Sequence, residues 1–358
     1  MKVKHSLLVT AIALTPYLVN AESNDLNSKV EALSKEIAEL KAQVAESPSA
    51  KIKGTSFGIY GSIRPTLEYR TEEDNPDGDN YFDQRDALSQ LGFKGDIKIN
   101  EDITAFFKSE WSIALQDGGD FGQSRQVFAG LETSIGTAAI GKQRPVQYLY
   151  IAEYIDIFNH SSSPFAYDFE GSFFVDNMIT YQNKFDNFSV HAGAKFDGRS
   201  GENNADFVNY GVAYDYNNLH LAVTYLDKTS ANGLNEGEAT EIIGFGAAYS
   251  VDDLYFALGY QDISKKTAGA INSESSYTAD IVAAYQLPKN FKLKAGYFLI
   301  NDDLAINSLE FDGYNLTLEN QLSPNVRVHV EYLTRDFDDR EDFQSISIGV
   351  RYDFALSF

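Results

Sequence analysis

From Gly54 to Phe358 the chain is written in short runs of alternating apolar and polar residues. In the first run Phe57, Ile59, Gly61, Ile63, Pro65, Leu67 and Tyr69 share one parity, and Tyr60, Ser62, Arg64, Thr66, Glu68 and Arg70 the other. A period of two is that of a strand with one apolar and one water-facing side. Seven tight polar turns punctuate the runs, at 100–102, 133–136, 184–187, 215–218, 251–253, 288–290 and 323–325. They alternate with longer polar segments at 71–87, 117–123, 144–173, 198–205, 228–238, 264–274, 302–307 and 336–342. Fifteen connections predict sixteen strands, short turns at one rim and long loops at the other. That is the plan of an all-β, antiparallel transmembrane barrel with both chain ends at the short-turn rim. The final run, Val350 to Phe358, puts an apolar or aromatic residue at every second position and ends on bare aromatics, as a strand that pairs and meets lipid would. A soluble β-sandwich or propeller also has short strands and regular turns, but seldom strict alternation of long and short connections.

Before Gly54 the period changes. Leu26, Val30, Leu33, Ile37, Leu40 and Val44 follow the spacing of an a/d heptad seam, closed by Glu46-Ser47-Pro48-Ser49. The expectation for 22–53 is a short coiled-coil helix and linker on the periplasmic side; a lone amphipathic helix lying on a partner is the other reading. Ahead of it, Lys2 and Lys4, the apolar stretch Leu7 to Val19, and Val19-Asn20-Ala21 predict a signal peptide over 1–21. The expected organisation is therefore 1–21 signal, 22–53 helix and linker, and 54–358 barrel.

Composition narrows the function classes. The net charge of −23 excludes a nucleic-acid binder, which needs a basic stripe. Zero cysteines exclude disulfide support and cysteine-type zinc sites. His160, His191, His220 and His329 stand outside any hydrolase or metalloprotease motif, so neither enzyme chemistry nor a cofactor is expected. The acidic run Asp74 to Asn80 lacks EF-hand spacing and reads as a loop tip.

The longest connection, 144–173, is too apolar to sit in water, with Tyr148, Tyr150, Tyr154, Phe158, Phe165 and Phe169 among its residues. Folded into the barrel as a constriction loop, it would bury these rings against the wall and turn Glu153, Asp156, Asp168 and Glu170 to the lumen. Arg144 is its lone base, and Arg64 and Arg125 lie on the water-facing side of the first and fourth strands. Acids facing bases across a narrow lumen make a transverse field that sorts solutes by charge.

Several motifs carry a resemblance. Leu91-Gly92-Phe93-Lys94-Gly95, Phe128-Ala129-Gly130-Leu131, Gly141-Lys142-Gln143 and the terminal Tyr352-Asp353-Phe354 with Phe358 resemble the general trimeric porins of Gram-negative outer membranes, over roughly 57–358. The resemblance implies that 144–173 is the pore-constricting loop, that Arg125 is a wall arginine and Asp156 a constriction acid, and that the protein is a homotrimer in contact with outer-membrane lipid and lipopolysaccharide. Gln90 stands where the family commonly has arginine, and Phe158-Asn159-His160-Ser161 replaces its Pro-Glu-Phe element. Valine or isoleucine at a with leucine at d favours two strands rather than three, so the heptad segment does not itself predict the trimer.

The expected function is passive diffusion of small hydrophilic solutes through a modestly cation-preferring channel. A substrate-specific porin, with loop aromatics stacking on oligosaccharides, and a tether between outer membrane and cell wall through the N-terminal helix are the alternatives.

Overall fold

The structure is a computed structural model that describes residues 54–71, 80–116, 118–162, 164–196, 205–229, 239–266, 274–302, 309–338 and 341–358. The expected signal peptide and heptad helix lie outside the described residues, as does the acidic tip 74–79.

The described chain is a closed antiparallel barrel of sixteen spanning strands. They are β1 (Thr55–Ile63 continued by Pro65–Arg70), β2 (Tyr81–Asp86 continued by Gln90–Lys98), β3 (Ile103–Ile113), β4 (Phe121–Thr133), β5 (Gly136–Gln143), β6 (Val175–Phe185), β7 (Phe188–Lys195) and β8 (Phe207–Tyr216). The second half comprises β9 (Leu219–Thr229), β10 (Ala239–Val251), β11 (Leu254–Lys266), β12 (Glu274–Leu287), β13 (Phe291–Asp302), β14 (Phe311–Ser323), β15 (Val326–Phe337) and β16 (Phe343–Ser357). Each strand pairs with its neighbours in sequence, and β16 returns to β1. Gly58 lies opposite Ser357 and Arg70 opposite Ser345, so one register closes the barrel over the whole first strand.

All seven expected tight turns are present. Several carry Asn or Asp at the left-handed backbone conformation these residues tolerate, as at Asp186, Asn217 and Asp252. The first long connection is shorter than its sequence suggests, because β2 begins at Tyr81 within the expected loop 71–87. Polar residues conceal that strand, since Asp83 and Arg85 turn inward while Phe82 is 71% exposed.

Alternation divides the wall as period two requires. Leu67, Ile140, Val223, Leu316 and Ile348 are exposed on the outer face, whereas Thr66, Glu68, Thr317, Glu331 and Ser347 are buried on the other. The segment between β5 and β6 seats against this second face. Tyr148–Ala152 forms a wide helical turn, Glu153–Ile155 a single α-turn and Ala166–Phe169 a 3-10 turn. Tyr148, Ile155, Phe158, Phe165 and Tyr167 bury themselves with Ala257, Val282, Phe298, Ile300 and Leu333 of the wall.

The seat exists because the wall lacks side chains there. A Cβ at Gly246 would stand 2.6 Å from the Tyr150 carbonyl oxygen, and one at Gly244 2.5 Å from Ile151 Cδ1. Replacing Gly246 with Val should leave the strand ladder intact but overpack this contact by about 1–3 kcal/mol. The expected outcome is a barrel with unchanged heat-modifiable gel mobility whose 144–173 segment becomes protease-sensitive; an unchanged cleavage pattern would contradict this seat.

Candidate functional site

The segment and the opposite wall enclose a cavity of about 1050 Å³. Five of the seven charged residues singled out from sequence border it: Arg64, Arg125, Arg144, Asp156 and Asp168. The other two lie elsewhere. Glu153 is exposed on the α-turn and does not border the cavity, and Glu170 is held by Lys228 of β9 and Lys265 of β11.

The basic side of the cavity is a product of register. Arg327 of β15 lies opposite Arg351 of β16, and the register shared by the two parts of β1 continues this row to Arg64. Three like charges abreast repel unless compensated. Asp353 supplies part of the compensation: Arg351 Nε donates to its Oδ1 at 2.9 Å and Arg327 Nη2 to its Oδ2 at 3.1 Å. Glu319 takes Lys294 at 2.9 Å and stands 3.7 Å from Arg327. Further round, Arg125 Nε donates to Glu110 at 2.8 Å, and Arg144 stacks at 3.8 Å over the ring of Tyr148.

Across from this wall stands Asp156, which ends the α-turn and is within electrostatic reach of Arg64. Tyr148 Oη donates to its carboxylate at 2.9 Å. Burial, with Asp156 beside it, pushes the Tyr148 phenol well up, so the donor is retained at every working pH. The geometry thus opposes acids on the segment to guanidinium groups on the wall. Opposed charges of this kind set up a field across the space between them.

Polar anchors fix the segment at this distance. Asp280 of β12 accepts from the backbone N–H groups of Ala166 and Tyr167 at 2.7 and 3.0 Å, capping the 3-10 turn. At the tip, Asn159 donates from its backbone to Glu331 at 3.1 Å and from its side chain to Glu319 at 2.9 Å. Ser161 donates to Glu68 at 2.5 Å. His160 Nδ1 lies 3.0 Å from the Ser162 N–H and 3.1 Å from the Ser162 carbonyl oxygen, and Nε2 lies 2.5 Å from Ser345 Oγ. Sequence reading set His160 aside for lack of a catalytic motif and passed over Arg327, Arg351 and Lys294. Strand parity alone marks those three as water-facing, but only the register brings Arg327 and Arg351 to Arg64, and Lys294 joins them at the cavity through Glu319.

The chain matches the family model for Gram-negative porins over residues 9–355 and belongs to that family. It is 24% identical over 202 residues to outer membrane porin F of Salmonella typhimurium, half of this chain and 52% of that one, so the match spans about half the relative's length. Among solved structures it is similar to OmpF of Salmonella typhi in complex with daunomycin, with a TM-score of 0.70 and 19% identity over 84% of this chain and 98% of that one. It is also similar to the trimer form of OmpT from Vibrio cholerae, with a TM-score of 0.66 and 19% identity over 84% and 100% of the two chains. Family and fold place the barrel in the outer membrane.

Two anchors titrate. Burial raises the Glu170 carboxyl, but Lys228 and Lys265 outweigh it and hold the group below its ordinary value. Its stabilisation is complete above the ordinary glutamate value and is lost as pH falls through the lowered one. Burial lowers the His160 imidazole against the pull of Glu331 and Glu68, so a released ring takes up a proton that the docked ring resists. Amide protection across 158–171, corrected for intrinsic exchange, should therefore fall in two stages, below about pH 6.5 and again below about pH 4.3. His160→Gln should abolish the first stage, and protection that is flat with pH would contradict both anchors.

Proposed function

We propose that this member of the Gram-negative porin family is a water-filled channel for passive diffusion of small hydrophilic solutes, assembled as a trimer, with segment 144–173 narrowing each lumen. The observation that carries the reading is the opposition, around one cavity, of Asp156 to the row Arg64, Arg351 and Arg327, with Asp168 also in the lining. The trimer is supported by the assembly named for the Vibrio relative.

The channel should prefer cations modestly. Glu110, Glu319 and Asp353 offset much of the basic wall, which brings the narrow region near balance. The chain as a whole tips the sum toward cations, with a net charge of −23. Fields at a mouth concentrate counter-ions before they enter. The general channel is favoured over an oligosaccharide-specific one because the loop rings already have partners: Tyr154 stacks on His220 at 3.7 Å and Tyr148 carries Arg144. The heptad segment 22–53 is read as periplasmic, available to a periplasmic or cell-wall partner.

The zero-current potential under a potassium chloride gradient tests the filter. The parent protein should give a cation-signed potential, and Asp156→Lys should move it toward anions. A potential unmoved by the charge reversal would remove Asp156 from the filter.

A further inference from the structure

In the wall opposite segment 144–173, Leu88 has a side chain at odds with its backbone. Ser62 faces Gln90 and Pro65 faces Asp86, so Ala87, Leu88 and Ser89 oppose only Ile63 and Arg64. Three residues against two make a bulge, a device that re-aims side chains beside functional sites. Leu88 within it has φ of 68°. Glycine, asparagine and aspartate take that conformation at less cost than leucine does. Leu88 does not recover the cost by burial, for it is 50% exposed and borders the cavity. Strained backbone of this kind clusters at active sites and ligand clamps.

The same cavity has further apolar lining. Phe173 and Phe174, at the far end of the segment, border the same cavity half-buried. The Phe174 ring lies 4.8 Å from the guanidinium of Arg125 and 5.3 Å from that of Arg144. Arg125 is occupied by Glu110, whereas among the described residues no carboxylate pairs with Arg64 or Arg144. Arg64 Nε has only the Ser62 hydroxyl, at 2.7 Å. Two guanidinium groups that no carboxylate pairs with directly therefore share a cavity with three apolar side chains, Asp353 and Asp156 acting on Arg64 from further off.

We propose that Leu88, Phe173 and Phe174, with Arg64 and Arg144, form a transit subsite for small anions that carry an aromatic ring, aromatic carboxylates being the class. A guanidinium fork takes a carboxylate with two parallel hydrogen bonds, and an aromatic ring gains by packing on leucine and phenylalanine faces. The subsite rests on the open-channel reading. It is compatible with a cation preference, because bulk-ion selectivity follows the summed field while this contact is local.

Current block in a planar bilayer tests it, with phenylacetate, acetate or 2-phenylethanol added to one side and each current taken relative to the same protein's open current. Phenylacetate should half-block at a concentration about fivefold lower than acetate, the scale of one added ring contact. Uncharged 2-phenylethanol should block no better than acetate. Leu88→Asn, which suits the bulge backbone, and Leu88→Gly should each bring phenylacetate to the level of acetate, and Arg144→Gln should weaken both anions. Equal block by the two anions in the parent, or phenylacetate block unchanged in both Leu88 variants, would overturn the subsite. Block by 2-phenylethanol equal to that by phenylacetate would overturn its anion half. A parent that carries no potassium chloride current sinks the channel reading and the subsite together, whereas normal current without discrimination sinks the subsite alone.

Discussion

The hydrocarbon interior of a membrane offers no partner to a backbone N–H or C=O, so a sheet that crosses it must leave no open edge. The pairing of β16 with both parts of β1 meets that demand. Once the ladder is closed, side-chain parity does the rest. One face of every strand is committed to lipid, and the other is free to carry hydroxyls, carboxylates and guanidinium groups that would be too costly outside.

A lumen of sixteen strands is wider than small solutes require, so its chemistry depends on what lies against the wall. Here two kinds of contact hold one long connection in place. Glycines at 244, 246 and 259 let Ile151 and Ile155 approach the wall closely, which supplies packing. Asp280, Glu331, Glu319, Glu68 and Ser345 satisfy polar groups of the segment that burial would otherwise strand, which supplies register. With the segment so fixed, Asp156 and the arginine row acquire a defined separation, and a field between them has a direction.

Much of this was legible in the sequence. Alternation and turn chemistry are local, so the strand count and all seven tight turns could be read, and the apolar character of 144–173 required that it pack on something. Arg64, Arg125, Arg144, Asp156 and Asp168, which border the cavity, were singled out because charges on water-facing strand positions or on an apolar loop stand out. The row formed by Arg64, Arg351 and Arg327 was hidden because the first and last strands meet only on closure, a contact no local pattern encodes. The bulge at Ala87–Ser89 was hidden for another reason: Asp83, Arg85 and Asp86 give the start of β2 the polarity of a loop. Glu170 was read as a lumenal acid because sequence shows its charge and not the two lysines, on β9 and β11, that hold it.

The account turns on an open aqueous path remaining beside the packed segment. Single-channel current from the purified protein in a planar bilayer measures that path directly. The account predicts steady, ohmic openings that appear and close in groups of three. A correctly folded barrel that passes no ions would contradict it.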